Sequence, residues 1–445
     1  MLDPLRPTSA AAPTVERPAD AAGVRNDSEV PSGASRKYRL SALSIPRLLI
    51  ASRAVRGLGQ GMMLADFALY LKAVGWNAAA IGIVLGLGAL GEIGACIFVG
   101  LAGDRGAKKR LLILGELLTF GASCLAAYSA STVALAAAAL MGGLGQRSNG
   151  SPGPFSPSEQ SLFANSSPAF RWGEVLSFNS AMGFAGLGGG ALAAGLLIGP
   201  NSGSGHARIF RPLFIFSAFL SVVNILLLSQ ISEPRPERRS IATTARSHPS
   251  ARQKESRSLR LLVLINLLNG TAIGMADLLA PYWFARQFHV RPFSISILMA
   301  TVFFLTAMMA CAMALLIARM GHLNLLLQSQ FVSAAFLLLL PLIPVYWLAF
   351  IVLAVRYSLT RSPAGVRQTL TNDLVRRQNI ALATSLNVSS LQIGQLFAPY
   401  FAGLLLDRGQ ALAPFFIAGS CQAAAVALYK RCFHEPSIDA ECGAI

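Results

Sequence analysis

Long stretches without a charged residue constrain this chain more than any other feature. Residues 292–318, 323–355, 378–406 and 409–429 contain no Lys, Arg, Asp or Glu. A helix needs about 20 apolar residues to cross the hydrocarbon core of a bilayer. Inside lipid the backbone must also satisfy its own hydrogen bonds, which a helix does. The stretches therefore predict transmembrane helices and an all-α membrane protein.

Twelve spans fit the sequence. Their approximate ranges are 46–71, 78–100, 109–129, 131–147, 174–199, 209–231, 259–285, 292–318, 323–343, 345–362, 380–406 and 410–432. The charge-free run 323–355 is too long for one crossing at about 1.5 Å per residue. Pro341 and Pro344 are expected to break it into two helices.

The distribution of basic residues predicts the topology. The net charge of +17 fits either a nucleic-acid-binding protein or a membrane protein with basic cytoplasmic loops. If the amino terminus is cytoplasmic, six of the 37 Lys and Arg residues lie outside: Lys72, Arg208, Arg211, Arg286, Arg291 and Arg408. Because most of the others then lie inside, both termini are predicted to be cytoplasmic, and no nucleic-acid partner is expected.

Five segments follow from this reading. Residues 1–45 predict a disordered cytoplasmic tail, and 232–258, rich in Arg, Ser and Pro, predicts a cytoplasmic linker. Bundles of six helices are expected at 46–231 and 259–433, with a cytoplasmic tail at 434–445.

A weak internal repeat relates the two bundles. At an offset of 208 residues, identical polar or small residues coincide: Gln160 with Gln368, Ser177 with Ser385, Asn179 with Asn387, and Gly186 with Gly394. The repeat predicts two pseudo-symmetric six-helix bundles with a substrate site near the midplane between them.

The loop between the second and third spans reads GLAGDRGAKKR. It resembles the loop signature of the major facilitator superfamily of transporters. The matching positions are Gly100, Asp104, Arg105, Lys108 and Lys109, whereas Ala102 and Ala107 depart from the pattern. The resemblance extends over about 46–433 and implies the two-bundle fold of that superfamily.

The resemblance also implies a role for this loop as a cytoplasmic gate. In the superfamily the loop helps to close the cytoplasmic side, and Asp104 is expected to face the positive end of the eleventh helix near Ile380. The alternative is a basic turn that sets topology and has no gating role.

The loop before the fifth span reads SPGPFSPSEQ. It resembles a bacterial subgroup of major facilitators with no assigned substrate. Glu159 is predicted to form a gate with Arg171, or with Arg367 at the equivalent place in the second half. The alternative is a set of solvated loop charges.

Ionisable residues inside spans are costly and indicate function. Arg53, Arg56 and Gln60 share one face of the first helix, and Arg356 lies in the tenth. Such a set fits an anionic substrate, although Arg53 could reach the cytoplasmic surface instead.

Acidic residues in the spans are candidates for proton coupling. Asp66 and Asp277 occupy equivalent places in the first helix of each half, and either could carry a proton or lie exposed at the outer rim. Glu92 and Glu116 are further candidates, and Glu116 is expected to pair with the basic run at 108–110.

The sequence thus favours a proton-coupled secondary transporter that exports a small molecule by alternating access. Uptake of an organic anion and a sensor without transport are the alternatives. The chain has no phosphate-binding loop, zinc spacing or nucleophile–base set, so no enzyme activity, metal or cofactor is expected beyond a proton or ion gradient. We expect a multi-pass monomer in the lipid bilayer of a bacterial inner membrane.

Overall fold

The structure, a computed structural model, describes residues 32–102, 108–146, 153, 158–159, 162–163, 172–200, 207–231, 249–364, 367 and 380–433. These residues are almost entirely helical. The helices are α1 (Ser32–Ala73), α2 (Ala78–Ala102), α3 (Lys108–Tyr128), α4 (Thr132–Gly142), α5 (Trp172–Ile198), α6 (Arg211–Ser229), α7a (Pro249–Ala272), α7b (Ala280–Gln287), α8 (Pro292–Met320), α9 (His322–Leu339), α10 (Tyr346–Arg361), α11 (Ile380–Asp407) and α12 (Ala413–Phe433).

The chain divides into two compact units. The first is Met1–Ser41, of which the described part is the beginning of α1. The second, Ala42–Ile445, contains the helix contacts described below. Within it, α1–α6 are called the N half and α7a–α12 the C half.

The fold prediction is confirmed: twelve transmembrane helices, counting α7a and α7b as one, form the two bundles. The two prolines also act as predicted, since α9 ends at Leu339, a 3₁₀ turn covers Leu340–Leu342, and α10 begins at Tyr346.

Two helices begin earlier than predicted. Helix α1 begins at Ser32, inside the segment predicted as a tail, and α7a begins at Pro249, inside the predicted linker. Hydropathy identifies the part of a helix that lies in lipid, whereas helix formers such as Arg, Lys and Glu continue a helix into water. Proline at the first helical position suits the start of α7a.

Seven helices of the described part are long and apolar enough to cross a membrane by themselves. They lie within α2, α3, α5, α6, α7a–α7b, α8 and α9. Helix α4 is apolar but has 11 residues, and α10 has 16. Helix α1 carries Arg53, Arg56 and Asp66 within its predicted span.

Large apolar side chains cover much of the outer surface, and several charged and polar side chains are buried within an otherwise apolar core. Large apolar residues on the outside include Phe98, Met308, Trp347 and Phe397, each more than half exposed. Buried polar groups form a network between α9, α10 and α12, in which Gln422 Nε2 donates to Gln330 Oε1 at 3.2 Å. This arrangement fits a bundle whose solvent is lipid.

Glycine crossings hold the first and fifth helices of each half together. In the N half, Gly57 of α1 lies against the backbone of Gly183 and Gly186 in α5. In the C half, Gly270 of α7a lies against Gly394 of α11. Because glycine has no Cβ, the helix backbones approach closely. Gly186 and Gly394 are a predicted repeat pair, and the structure gives both the same role.

Two helix pairs join the halves: α2 packs against α11, and α5 against α8. Glycines again permit the contact, since a Cβ on Gly82 would overlap the backbone of Pro399, and one on Gly403 the backbone of Ala78. These two helix pairs form most of the described contact between the halves.

We predict that Gly57→Ala destabilises the protein. The new Cβ would lie 2.8 Å from the carbonyl oxygen of Gly183, and backbone cannot rotate away as a side chain can. Overpacking of this kind costs about 1–3 kcal/mol, so the melting temperature in detergent should fall. Gly94→Ala is the matched control, because nothing lies within 4 Å of its Cβ position. Equal melting temperatures for the two variants would contradict the proposed crossing.

Candidate functional site

A buried charge cluster connects four segments of the N half: α1, α3, the connection before α5, and α5 itself. Arg56 of α1 donates from Nε to Glu116 of α3 at 2.7 Å and from Nη1 to Glu159 at 3.2 Å. Asn179 of α5 donates to the other oxygen of Glu159 at 3.0 Å. Arg53 is also buried, with its guanidinium over Gly183. Two arginines and two glutamates thus leave this part of the N half with balanced charge.

The cluster differs from the predicted pairings. The expectation that Glu116 pairs with the basic run is wrong, because Glu116 lies on the buried face of α3 and Lys109 donates to the carbonyl of Ser229. In this conformation Glu159 binds Arg56 and Asn179, while Arg367 donates to the carbonyl of Thr360 at 3.4 Å. Arg171 lies outside the described residues, so a gating role for these groups stays a prediction.

A cavity of about 430 Å³, including its open mouth, lies within the N half. Its polar lining includes Arg56, Gln60, Glu116 and Ser217. Nε2 of Gln60 is buried and has no hydrogen-bond partner among the described residues. The three polar residues predicted to share one face of α1 therefore have different surroundings. Arg56 and Gln60 line this cavity, whereas Arg53 packs against α5.

The C half contains a second buried charge cluster. Arg356 Nη1 donates to Oδ1 of Asp277, and Arg361 Nη2 donates to Oδ2 at 3.3 Å. The hydroxyl of Tyr357 donates to the backbone carbonyl of Asp277 at 3.3 Å. All these side chains are buried. Asp277 therefore binds two cations at once.

A π-helical turn at Ile273–Asp277 interrupts the seventh span and ends on this aspartate. Such turns occur mostly as single insertions and often at functional sites. The turn changes the direction in which Asp277 leaves the helix, and α7b resumes at Ala280.

Asp66, the repeat counterpart of Asp277, has a different environment. It is 1% exposed, and its two carboxylate oxygens lie 3.2 and 3.1 Å from the hydroxyl of Ser296, whose single proton is shared between this carboxylate and the carbonyl of Pro292 at 3.0 Å. Ser296 belongs to α8 of the C half. No cation pairs with Asp66 in the described part of the chain. Neither aspartate lies exposed at a rim.

The halves also meet where α11 ends and α2 begins, a region called here the Asp407 end. The carboxylate of Asp407 accepts from the backbone N–H groups of Ala78 and Ala79 at 3.1 and 2.9 Å, so it caps α2 across the interface. Nearby, Arg291 donates to the carbonyl of Pro200 at 3.0 Å. Both contacts join the N half to the C half.

The signature loop is described in part. Gly100 lies near the end of α2, and Lys108 and Lys109 begin α3. Asp104 and Arg105 lie outside the described residues, so the cytoplasmic gate of the signature stays a prediction.

Sequence reasoning did not single out several residues of these sites. Arg361 was not named as a candidate, although it follows Arg356 by five residues on the same helix. No local sequence pattern marks Ser296 or Asp407 as a site residue, because their partners are more than 200 residues away in the chain.

Comparison with solved structures places this geometry among known transporters. The nucleoside transporter NupG has a TM-score of 0.64 at 11% sequence identity, with 88% of this chain and 99% of that one covered. The D-xylose-proton symporter has a TM-score of 0.64 at 15% identity, covering 86% and 96%. At these identities the likeness establishes the fold.

Comparison of the amino-acid sequence with other proteins agrees with the likeness in fold. The chain is 23% identical over 427 residues to the uncharacterized membrane protein YJR124C of Saccharomyces cerevisiae, covering 86% of this chain and 92% of that protein. The family model for the Major Facilitator Superfamily matches residues 49–265 and 262–440, nearly the whole helical part. The chain is a member of the Major Facilitator Superfamily.

Proposed function

We propose that this protein is a proton-coupled secondary transporter that exports a small molecule by alternating access. It functions as a multi-pass protein of a bacterial inner membrane, with both termini in the cytoplasm. The observation that carries the proposal is the carboxylate of Asp66, which is buried, has no cationic partner among the described residues and is bonded across the two halves.

A buried carboxylate without a cation is costly when ionised, and protonation removes the charge. Asp66 accepts from Ser296 of the opposite half. A hydrogen bond to an ionised carboxylate is stronger than one to a neutral acid. Gain or loss of a proton at Asp66 therefore changes the free energy of the contact between the halves, as coupling requires.

Asp277 is unsuited to this role in the same conformation. Its two guanidinium partners stabilise the ionised carboxylate. The two repeat-equivalent aspartates therefore have different roles: Asp66 binds and releases the proton, and Asp277 pairs with Arg356 and Arg361.

Alternating access requires the Asp407 end to open. In the proposed topology, with both termini cytoplasmic, this end faces the outside, and the contacts of Asp407 and Arg291 between the halves support a role in closing the outer entrance. Support for proton coupling also comes from the D-xylose-proton symporter, which has the same fold. The loop before α5, similar to that of a bacterial subgroup, supports export.

We predict that Asp66→Asn uncouples transport from the pH gradient. Purified protein in proteoliposomes is tested with uridine, D-xylose, benzoate and benzamide under inside-acid and outside-acid gradients. Wild type should accumulate one of these compounds when the lumen is acid, because an antiporter then exchanges it for luminal protons. Asp66→Asn should lose this accumulation yet retain exchange of the same compound between the two sides.

The outcomes separate the alternatives. Accumulation under an outside-acid gradient would indicate uptake by symport and overturn export. Accumulation by Asp66→Asn equal to wild type would overturn the assignment of the proton site. Binding of a compound without any transport would favour a sensor.

We predict that Asp407→Ala opens the Asp407 end. Alanine provides no acceptor for the N–H groups of α2 and removes the charge that the helix dipole favours. Replacing a helix cap by alanine costs about 1 kcal/mol, roughly a fivefold shift between closed and open states. Spin labels on Ala73→Cys and Gln410→Cys, in a cysteine-free background, should show a longer distance. Arg408→Gln, an exposed neighbour, is the control, and an unchanged distance in Asp407→Ala would exclude the cap as a closing contact.

A further inference from the structure

We infer that Asp277, Arg356 and Arg361, called here the arginine cluster, bind an anionic group of the transported molecule. The group is a carboxylate or a phosphate. The inference rests on the proposed transport function and assigns its substrate class.

The first argument is charge. The arginine cluster holds two guanidinium groups and one carboxylate, all buried. Between 259 and 433 the sequence contains two other acidic residues, Asp373 and Asp407. Asp373 belongs to the connection between α10 and α11, outside the described residues, and Asp407 caps α2. An uncompensated positive charge inside a membrane bundle is costly, so the cluster is suited to receive an anion.

The second argument is hydrogen bonding. Nε and Nη1 of Arg361 and Nε of Arg356 are buried, and none has a hydrogen-bond partner among the described residues. The two side chains are 3% and 1% exposed. Buried donors are normally satisfied. The carboxylate of Asp277 is already bonded to both arginines, so these three guanidinium nitrogens can donate to the oxygens of a bound anion.

The third argument is the frame around Arg361. Its guanidinium lies 3.7 Å from the ring centroid of Tyr357 and 5.4 Å from that of Phe303. Aromatic contact holds the guanidinium without using its hydrogen-bond donors. A guanidinium fixed in this way presents a planar set of donors that suits carboxylate and phosphate.

The described part of the N half contains no pair of buried arginines that share a single carboxylate. Sequence reasoning associated an anion with Arg53, Arg56 and Arg356 together. The structure instead pairs Arg56 with Glu116 and Glu159, which neutralise it. The excess of positive charge lies at the arginine cluster alone among the described intramembrane clusters.

The site is connected to the proposed proton site through α8. Ser296, which bonds Asp66, and Phe303, which contacts Arg361, are seven residues apart on this helix, about 10 Å. The boundary between the halves also passes near the site, because Lys72 of α1 lies over the ring of Tyr282 in α7b, five residues beyond Asp277. Movement that breaks the contact at Asp66 thus also alters the surroundings of the anion.

The test compares Arg361→Gln with wild type by thermal unfolding in detergent. Removing Arg361 leaves Asp277 and Arg356 paired one to one, so the ligand-free variant should melt no lower than wild type. Benzoate should raise the melting temperature of wild type, and its neutral isostere benzamide should not. In Arg361→Gln the apparent affinity for benzoate should fall at least tenfold. Arg361→Lys keeps the charge but loses the planar donors, and should lie between the two.

Further arms distinguish the source of the anion. Inorganic phosphate replaces benzoate in one arm, and vesicles of phosphatidylglycerol are compared with phosphatidylcholine in another. Stabilisation by phosphate that Arg361→Gln abolishes also supports the inference. Stabilisation by the anionic lipid alone would overturn it. Arg431→Gln, at an exposed site near the end of α12, should respond like wild type.

Two results would overturn the inference outright. One is a response of Arg361→Gln equal to that of wild type for every anion. The other is a fall in the melting temperature of ligand-free Arg361→Gln with unchanged benzoate affinity, which would make Arg361 structural. Because binding needs no gradient, Asp66→Asn should still bind benzoate. If wild type binds no anion but transports a neutral compound in a way that depends on Asp66, the inference is refuted and the transport function remains in place.

Discussion

The cost of burying a charge inside a lipid-embedded bundle governs most of the polar structure of this protein. The three aspartates on the described spans differ in their surroundings. Asp277 and Asp66 are buried, and they bind two guanidinium groups and a hydroxyl respectively, whereas the exposed Asp407 binds the backbone N–H groups of a helix end. The different neighbours are the reason that we propose a different role for each.

Close approach of helix backbones at glycine positions accounts for much of the apolar packing between helices. The crossings of α1 with α5 and of α7a with α11 make each bundle stiff, and further glycines bring α2 against α11 across the interface. Without a hydrophobic driving force in lipid, helices associate by such packing and by polar contacts. Glycines thus bring helices together both within each half and across the interface, where the contacts of Asp66 and Asp407 add polar links between the halves.

Much of the fold follows from local sequence. Charge-free runs of the right length predict the spans, and Pro341 and Pro344 predict the break between α9 and α10, which the structure confirms. The repeat pair of Gly186 and Gly394 also has matching packing roles. The site was harder to predict. Glu116 was assigned to the nearby basic run, but its partner, Arg56, is 60 residues away, and the face of α3 that is buried decides the pairing.

The sequence by itself determined that the chain lies in a membrane, that it crosses about twelve times, and that its halves are related. These properties depend on hydropathy, length and spacing, which act within a single helix. Tertiary structure decided which ionisable groups meet: Asp66 with Ser296, Arg361 with Asp277, and Asp407 with the start of α2. The physical reason is that electrostatic and hydrogen-bond energies depend on distances of a few ångströms between helices, and helix packing alone sets those distances.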